Sequence, residues 1–230
     1  MEHMTHINAL LRAQQSPARP FLTSLTPDAR VELSVTSFRN GADKVANALL
    51  TEFGCDAGDR LAIHLPWHWQ RGVWTAGAWL IGMTVVPFGD PLAVDLTVAS
   101  PLISRGLIDQ GAPHITTVTL HPLGLAGPDD VPPGAADGTA LTRIQPDTFL
   151  GDPQAADGIL FNDGVREWPL QDCLDLVGQY PLGQRLALSS GDDAAHWLIP
   201  PWYPLLSEGS VVMYEHGVNL QAEKIDQELD

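Results

Sequence analysis

The sequence predicts an α/β protein with doubly wound, mostly parallel sheets and flanking helices. Three observations carry that prediction. Residues 60–65 (RLAIHL) and 84–88 (TVVPF) are short apolar runs of strand length, separated by a segment long enough for a helix. That intervening segment, 67–81, is apolar and small on most sides (Val73, Ala76, Gly77, Ala78, Trp79, Leu80), as a helix covered by a sheet must be. Strand, helix and strand at this spacing imply parallel pairing with a right-handed crossover. The same alternation recurs more weakly over residues 96–120, and repeated βα alternation is the pattern of a doubly wound sheet.

Taken in order, residues 5–14 place Ile7, Leu10 and Leu11 on one face of a short helix that Pro17 and Pro20 end. Residues 21–26 and 31–35 read as two strands joined at Pro27-Asp28-Ala29, a hairpin. Thr36 or Ser37 can cap a helix reaching Phe53, with Phe38, Ala42, Val45, Ala46, Leu49 and Leu50 at helical spacing. Gly54 follows as a residue tolerant of positive φ. Pro66 is expected in the first turn of the helix over 67–81, where its missing N–H costs nothing. Strand 96–99, helix 101–110 closed by Gly111, and strand 114–120 come next.

Residues 122–157 are rich in Gly, Pro, Asp and Ala without periodicity and read as a loop or linker. Structure resumes with strand 158–161 and the turn signal Asn162-Asp163-Gly164. A helix over 169–177, a strand over 185–188, a helix over 194–206 containing Pro200-Pro201, and a strand over 210–214 complete the pattern. The predicted organisation is a first lobe over 1–121, the linker, a partial second lobe over 158–218 and an exposed acidic tail over 219–230.

Composition excludes several classes of function. The formal net charge of −16 argues against nucleic acid or an anionic bilayer as partner. No apolar run reaches the roughly 18 residues that cross a membrane. The opening residues carry neither a basic stretch nor a small-residue cleavage site, which predicts a cytoplasmic protein. Cys55 and Cys173 stand in no metal or redox spacing and are expected to be structural. Acids concentrate late: residues 151–230 hold 14 of the 28, against Arg166, Arg185 and Lys224 alone. That is a solvated acidic surface, or a docking face for a basic protein partner.

Residues 30–87 carry a resemblance. Glu32-Leu33-Ser34, Ala46-Asn47-Ala48-Leu49, Gly54, Gly58-Asp59-Arg60, Leu65-Pro66, Gly77-Ala78-Trp79, Gly82 and Val85-Val86-Pro87 stand in one register. In that register the segment resembles the N-terminal portion of the adenylate-forming superfamily: acyl-CoA synthetases, nonribosomal adenylation domains and luciferases. A fainter likeness continues at residues 205–212 (LLSEGSVV).

The resemblance implies a phosphate loop after strand 158–161, a Ser/Thr/Gly-rich run ending in Pro-Lys-Gly whose backbone N–H groups and lysine cradle ATP. The residues at that place are Asn162, Asp163, Gly164, Val165, Arg166 and Glu167. One glycine remains, lysine is missing, and two carboxylates would face a polyphosphate. Arg166 is the one available cation. Asn162, Asp163, Gly164 and Arg166 are therefore the candidate remnant of a nucleotide site. Members of that family run to about twice this length, and their later acidic and lysine segments have no counterpart here. Lys44 sits on an early helix and Lys224 in the tail, outside any Gly-Lys setting. The expectation is a non-catalytic relative that needs no cofactor and works through a protein partner, a second copy of itself, or a weakly bound ligand. The alternative is an ATP-dependent acyl-adenylating enzyme, diverged or completed by another chain.

Three other patterns compete with bland readings. His64 and His68 are four apart, as zinc-binding pairs are, but Pro66 separates them and polar placement at a helix start is the expectation. Trp67, Trp69, Trp74 and Trp79 form either a ligand platform or core packing, the latter expected. Ser189-Ser190-Gly191-Asp192 with His196 suggests a serine hydrolase, yet lacks the G-x-S-x-G elbow.

Overall fold

The computed structural model describes residues 7–124, 127, 130–152 and 158–229. Its first elements are α1 (Ile7–Ala13), the strands β1 (Pro20–Leu25) and β2 (Arg30–Ser34), and the long helix α2 (Val35–Thr51). Then come β3 (Arg60–His64), α3 (Gln70–Leu80), β4 (Thr84–Pro87), β5 (Leu96–Ala99), α4 (Pro101–Asp109) and β6 (Ile115–Thr117). The second half holds β7 (Ala135–Asp137), α5 (Gly138–Arg143), β8 (Ile159–Asn162), β9 (Glu167–Pro169) and α6 (Leu170–Val177). Last are β10 (Arg185–Ser189), α7 (Ala194–Ser207), β11 (Ser210–Tyr214) and β12 (Gln227–Leu229). Thr5 and His6, included in the expected first helix, lie outside the described residues.

Two sheets form. One runs β7-β6-β5-β3-β4-β8-β9, the other β12-β10-β11-β1-β2. Every pairing is parallel except the hairpins β1–β2 and β8–β9. The predicted α/β class and the β3-α3-β4 unit are thus as expected. Chain order and sheet membership differ from the two successive lobes that were expected. The N-terminal hairpin pairs with β11, almost two hundred residues downstream, because β1 offers a free parallel edge to it. The main apolar core, from Leu11 and Phe21 through Trp79 to Trp202 and Met213, lies against both sheets, with two smaller clusters around Val212 and around Leu107.

Two segments depart from the sequence reading. Within 122–157, expected to be a loop or linker, β7 adds to the edge of the larger sheet and α5 packs behind it. Asp137 caps α5 by accepting from Ala140 N–H at 2.9 Å. Residues 153–157 of that segment lie outside the described residues. The tail is exposed at most of its residues, as expected, but it is not free: it supplies β12 to the smaller sheet. A network holds it: Glu223 accepts from Arg30 at 2.7 Å and from Arg185 at 2.8 Å, and Asp226 accepts from Arg185 N–H at 2.7 Å. Hydrogen bonds from Arg30, chiefly, hold the buried Glu223 carboxyl below its ordinary range.

Helix ends follow local chemistry. Ser34, rather than Thr36 or Ser37, caps α2 by accepting from Ser37 N–H at 3.1 Å. Gly54 takes a φ of 66° after α2, as expected. The next helix begins at Gln70, later than Pro66 implied, because residues 67–69 form a turn first. Helix α7 runs through Pro200, Pro201 and Pro204. Its last carbonyls are satisfied from outside: Arg19 donates to Pro204 at 3.2 Å, Gln14 to Leu205 at 3.1 Å and Gly183 N–H to Ser207 at 2.8 Å.

Every residue of α3 is buried. Against α2 the approach is close enough that a Cβ on Gly77 would fall 2.5 Å from Val45 Cγ1, 2.7 Å from Val45 Cβ and 3.0 Å from the Ala42 carbonyl. On the other side Trp79 stacks on Trp202 with centroids 5.2 Å apart, and its Nε1 donates to the Leu160 carbonyl at 2.6 Å. Gly77→Ala should therefore destabilise the protein by about 1–3 kcal/mol through overpacking. That exceeds the roughly 0.5–1 kcal/mol which removing a helical glycine would otherwise contribute. Denaturant titration checks this, and a midpoint at or above the parent's would contradict it.

Candidate functional site

The segment expected to hold a nucleotide's phosphates is a tight hairpin. Asn162 pairs with Glu167 across it, and Gly164 turns the chain at a φ of 83°. Asn162 Oδ1 accepts from Gly164 N–H at 2.9 Å. Asp163 does more. Its Oδ1 accepts from the N–H groups of Val165 and Arg166, both at 2.8 Å, and its Oδ2 accepts from Trp168 Nε1 at 2.8 Å. Burial acts to raise the Asp163 carboxyl, but donation from Arg166, Trp168 and Val165 outweighs it and holds the group below the usual carboxylate range.

Arg166 is engaged as well. Its guanidinium lies 3.5 Å from the Trp168 ring centroid, and Nη1 is 3.6 Å from Asp172. The four candidate residues are therefore brought together, but around one another. Backbone donors that could face an anion point at Asp163 instead. Helix α6 does follow β9, so the strand, turn and helix setting expected of this position is present, with an added short strand.

A second cluster, which sequence reasoning passed over, centres on Arg71 in the first turn of α3. The side chain is buried between Trp197, Phe88 and Trp67, its guanidinium carbon 4.5, 5.2 and 5.6 Å from their centroids. It donates to the carbonyls of Leu65 at 2.8 Å and Gly191 at 3.2 Å, and pairs with Asp192 at 2.8 Å. Desolvation lowers its pKa against the pull of Asp192, though a guanidinium keeps its proton. The available signal was an arginine inside an otherwise apolar helix. Through these contacts Arg71 joins the residue after β3, α3 and the segment before α7.

The remaining candidates separate. His64 contacts the Gly89 carbonyl at 2.9 Å, whereas His68 Nδ1 accepts from Gln70 N–H at 3.3 Å, so the two share no ligand position. Burial pushes His68 down to about 4, leaving it neutral at physiological pH. Among the described residues, no group of three or more His, Cys, Asp or Glu could hold a metal ion. His196 Nδ1 lies 2.7 Å from Asp193, the residue that caps α7, and no hydrogen bond joins it to Ser189 or Ser190 among the described residues. Its Nε2 packs against Gly191, where a Cβ would sit 2.3 Å away. That is a capping pair without a nucleophile. Trp79 is core, Trp67 belongs to the Arg71 cluster, and Trp69 and Trp74 line a separate cavity. Burial raises both cysteine thiols to about 12, so neither forms a thiolate near neutrality. Lys44 pairs with Asp147 at 2.8 Å.

Comparison with known proteins places this geometry. No protein-family model matches the chain. A Mycobacterium tuberculosis protein that carries only a numbered family designation is 28% identical over 172 residues, 73% of this chain and 69% of its own length. A Brucella canis acyl-CoA synthetase superposes with a TM-score of 0.74 at 19% identity, covering 95% of this chain and 44% of that one. A fatty acyl CoA synthetase of Mycobacterium tuberculosis gives a TM-score of 0.66 at 16% identity, covering 94% and 45%. The chain thus has the fold of the N-terminal portion of acyl-CoA synthetases, and spans less than half the length of both solved chains. No helix among the described residues is long and apolar enough to cross a membrane.

The hairpin yields a pH-dependent prediction. Asp163→Ala should cost about 1 kcal/mol at pH 7, the three accepted bonds being discounted for their exposure. Because the folded pKa is lowered, the contribution of Asp163 is present above the unfolded value of about 3.9 and is lost as pH falls through the folded one. Denaturation of parent and variant at pH 7 and near pH 3 should show the difference shrinking. An equal difference at both pH values would contradict this account.

Proposed function

We propose that this chain is a non-catalytic relative of the acyl-CoA synthetases, acting through a protein partner or a weakly bound ligand and not through adenylation of its own. One observation supports this most directly. At the place where the fold's resemblance puts ATP phosphates, Asp163 accepts the backbone N–H groups of Val165 and Arg166 that a phosphate would need. A phosphate there would have to displace an intramolecular carboxylate and then sit beside it. Two like charges 4 Å apart repel by about 1 kcal/mol in water and about 4 kcal/mol at an effective dielectric of 20. Arg166, paired with Asp172 and stacked on Trp168, would have to leave both contacts to offset that.

A protein partner is favoured over a nucleic acid or an anionic membrane by the net charge of −16. The acid-rich second half favours a basic one. The competing reading is acyl adenylation completed by another chain, and it predicts a different result in one experiment. Calorimetry of the chain with MgATP, and ATP–pyrophosphate exchange with a panel of acyl and amino acids, would be run alone and then with cell lysate. The expected outcome is no saturable ATP heat from the chain alone at millimolar concentration, no exchange by the chain alone, and none above that of the lysate alone when the two are combined. Saturable binding to the chain alone, or exchange by the chain alone or above the lysate-alone background, would overturn the non-catalytic reading.

A further inference from the structure

A cavity of about 230 Å³ opens between α2, α3, α5 and the segment after β6. Trp69, Trp74, Val45, Val73 and Val118 make its walls largely apolar. The charge in its lining is of one sign. Lys44 and Arg143 line it and, among the described residues, no Asp or Glu does, in a chain with 28 acids against 12 lysines and arginines. Gln70, only 6% exposed, turns its Oε1 into the protein. Its Nε2 lies on the side of Gly124, 3.9 Å from where a Cβ there would stand, and donates to no described residue. Thr139 Oγ1 accepts from Thr119 N–H at 2.8 Å and keeps its own hydrogen to give.

Cations and donors beside apolar walls select an anionic group joined to an apolar body. Lys44 is paired with Asp147 at 2.8 Å and donates to the carbonyls of Arg143 and Gln145. Asp147 is 63% exposed, and a surface pair of that kind is weak enough for another carboxylate to take its place. Arg143 adds its charge in the last turn of α5. Size and field narrow the occupant further. Small-molecule sites run to about 300–1,000 Å³, so this one has room for little more than a single large side chain. A free acid must also approach against a net charge of −16, whereas a carboxylate carried at the end of a basic segment is drawn in by the same field.

We propose that this cavity captures the C-terminus of a basic protein partner. A terminal aromatic side chain packs on Trp69 and Trp74, and its α-carboxylate meets Lys44 and Arg143. A lysine or arginine just before it faces Asp147, which Lys44 has released. This gives the protein-partner reading its site and rests on that reading. The cavity shares no residue with the hairpin at Asn162, so its failure would leave the ATP measurement untouched.

The test titrates the full chain with four probes, followed by tryptophan fluorescence and by calorimetry. They are the peptide acetyl-Gly-Ser-Lys-Phe with a free C-terminus, its C-terminal amide, the same peptide ending in Ala, and N-acetylphenylalanine. The free-acid peptide should bind saturably with a dissociation constant of about 1 mM or tighter. The amide lacks the carboxylate and the Ala-ended peptide lacks the ring, so each should bind at least about tenfold more weakly. N-Acetylphenylalanine lacks the basic residue and should bind at least about threefold more weakly. Lys44→Met keeps the apolar stem and removes the charge. It should lose at least about fivefold in affinity for the free acid while its affinity for the amide stays unchanged. No saturation by the free-acid peptide at about 10 mM, or any of the other three probes binding as tightly as it does, would overturn the proposal. Undiminished binding of the free acid to Lys44→Met would do the same. Should Lys44→Met fail to fold, the comparison among the four probes on the parent chain decides alone.

Discussion

Helix α3 has no solvent-facing side, and the rest of the molecule is arranged to meet that condition. Each direction needs a different solution. Toward α2 the helix offers Gly77, which lets Val45 and the Ala42 carbonyl come within a distance no Cβ allows. Toward α7 it offers Trp79, stacked on Trp202 and bonded to the Leu160 carbonyl. Toward β1 and α2 it offers Gly72, beside Leu22 and Phe38. Its one buried charge, Arg71, would be prohibitive alone, yet two carbonyls, one carboxylate and three aromatic faces receive it. A helix covered on all sides needs two sheets, which explains why the N-terminal hairpin returns to pair with strands from the far end of the chain.

That framework was visible in the sequence because its signals are local. Small residues at 76–78, a glycine after each of α2, α3 and α4, and apolar runs of strand length announce themselves without tertiary help. What stayed hidden depends on partners far away. The residues of β7, Ala135-Ala136-Asp137, have no strand character of their own and become a strand only by adding to β6. Likewise β12, Gln227-Glu228-Leu229, exists because β10 has a free edge and because Arg30 and Arg185 converge on Glu223. Neither arginine predicts such a role from its neighbours in sequence.

The hairpin shows the opposite case, in which one stretch supported two readings. Asn162-Asp163-Gly164 signals a tight turn, while the resemblance of residues 30–87 makes the same place a phosphate loop. Turn chemistry prevails through Asp163, whose carboxylate sits where it can accept the donors of its own turn. The Gln70 amide was not singled out either, since a glutamine at a helix start is unremarkable until the burial of its carbonyl is known. Arg71 shares that obscurity. Both are polar residues whose meaning comes from being buried, and burial is a tertiary property.

The hairpin could change because it is mechanically separate from α3. β9 is the edge of its sheet and pairs only with β8, while β8 is held upstream of the turn. Trp79 Nε1 grips the Leu160 carbonyl at 2.6 Å, Thr84 Oγ1 grips that of Ile159 at 2.6 Å, and Phe161 sits fully buried opposite Val85. Those anchors fix the strand before it reaches Asn162, and the chain rejoins the core only at Trp168, so the turn between them lies outside it. Val165 at the tip is 93% exposed. Asn162 and Asp163 satisfy the turn's own donors without calling on the core. The fold and the chemistry at this position are therefore set by different residues. For that reason, strong structural likeness to acyl-CoA synthetases and a loop closed upon its own carboxylate coexist in one chain.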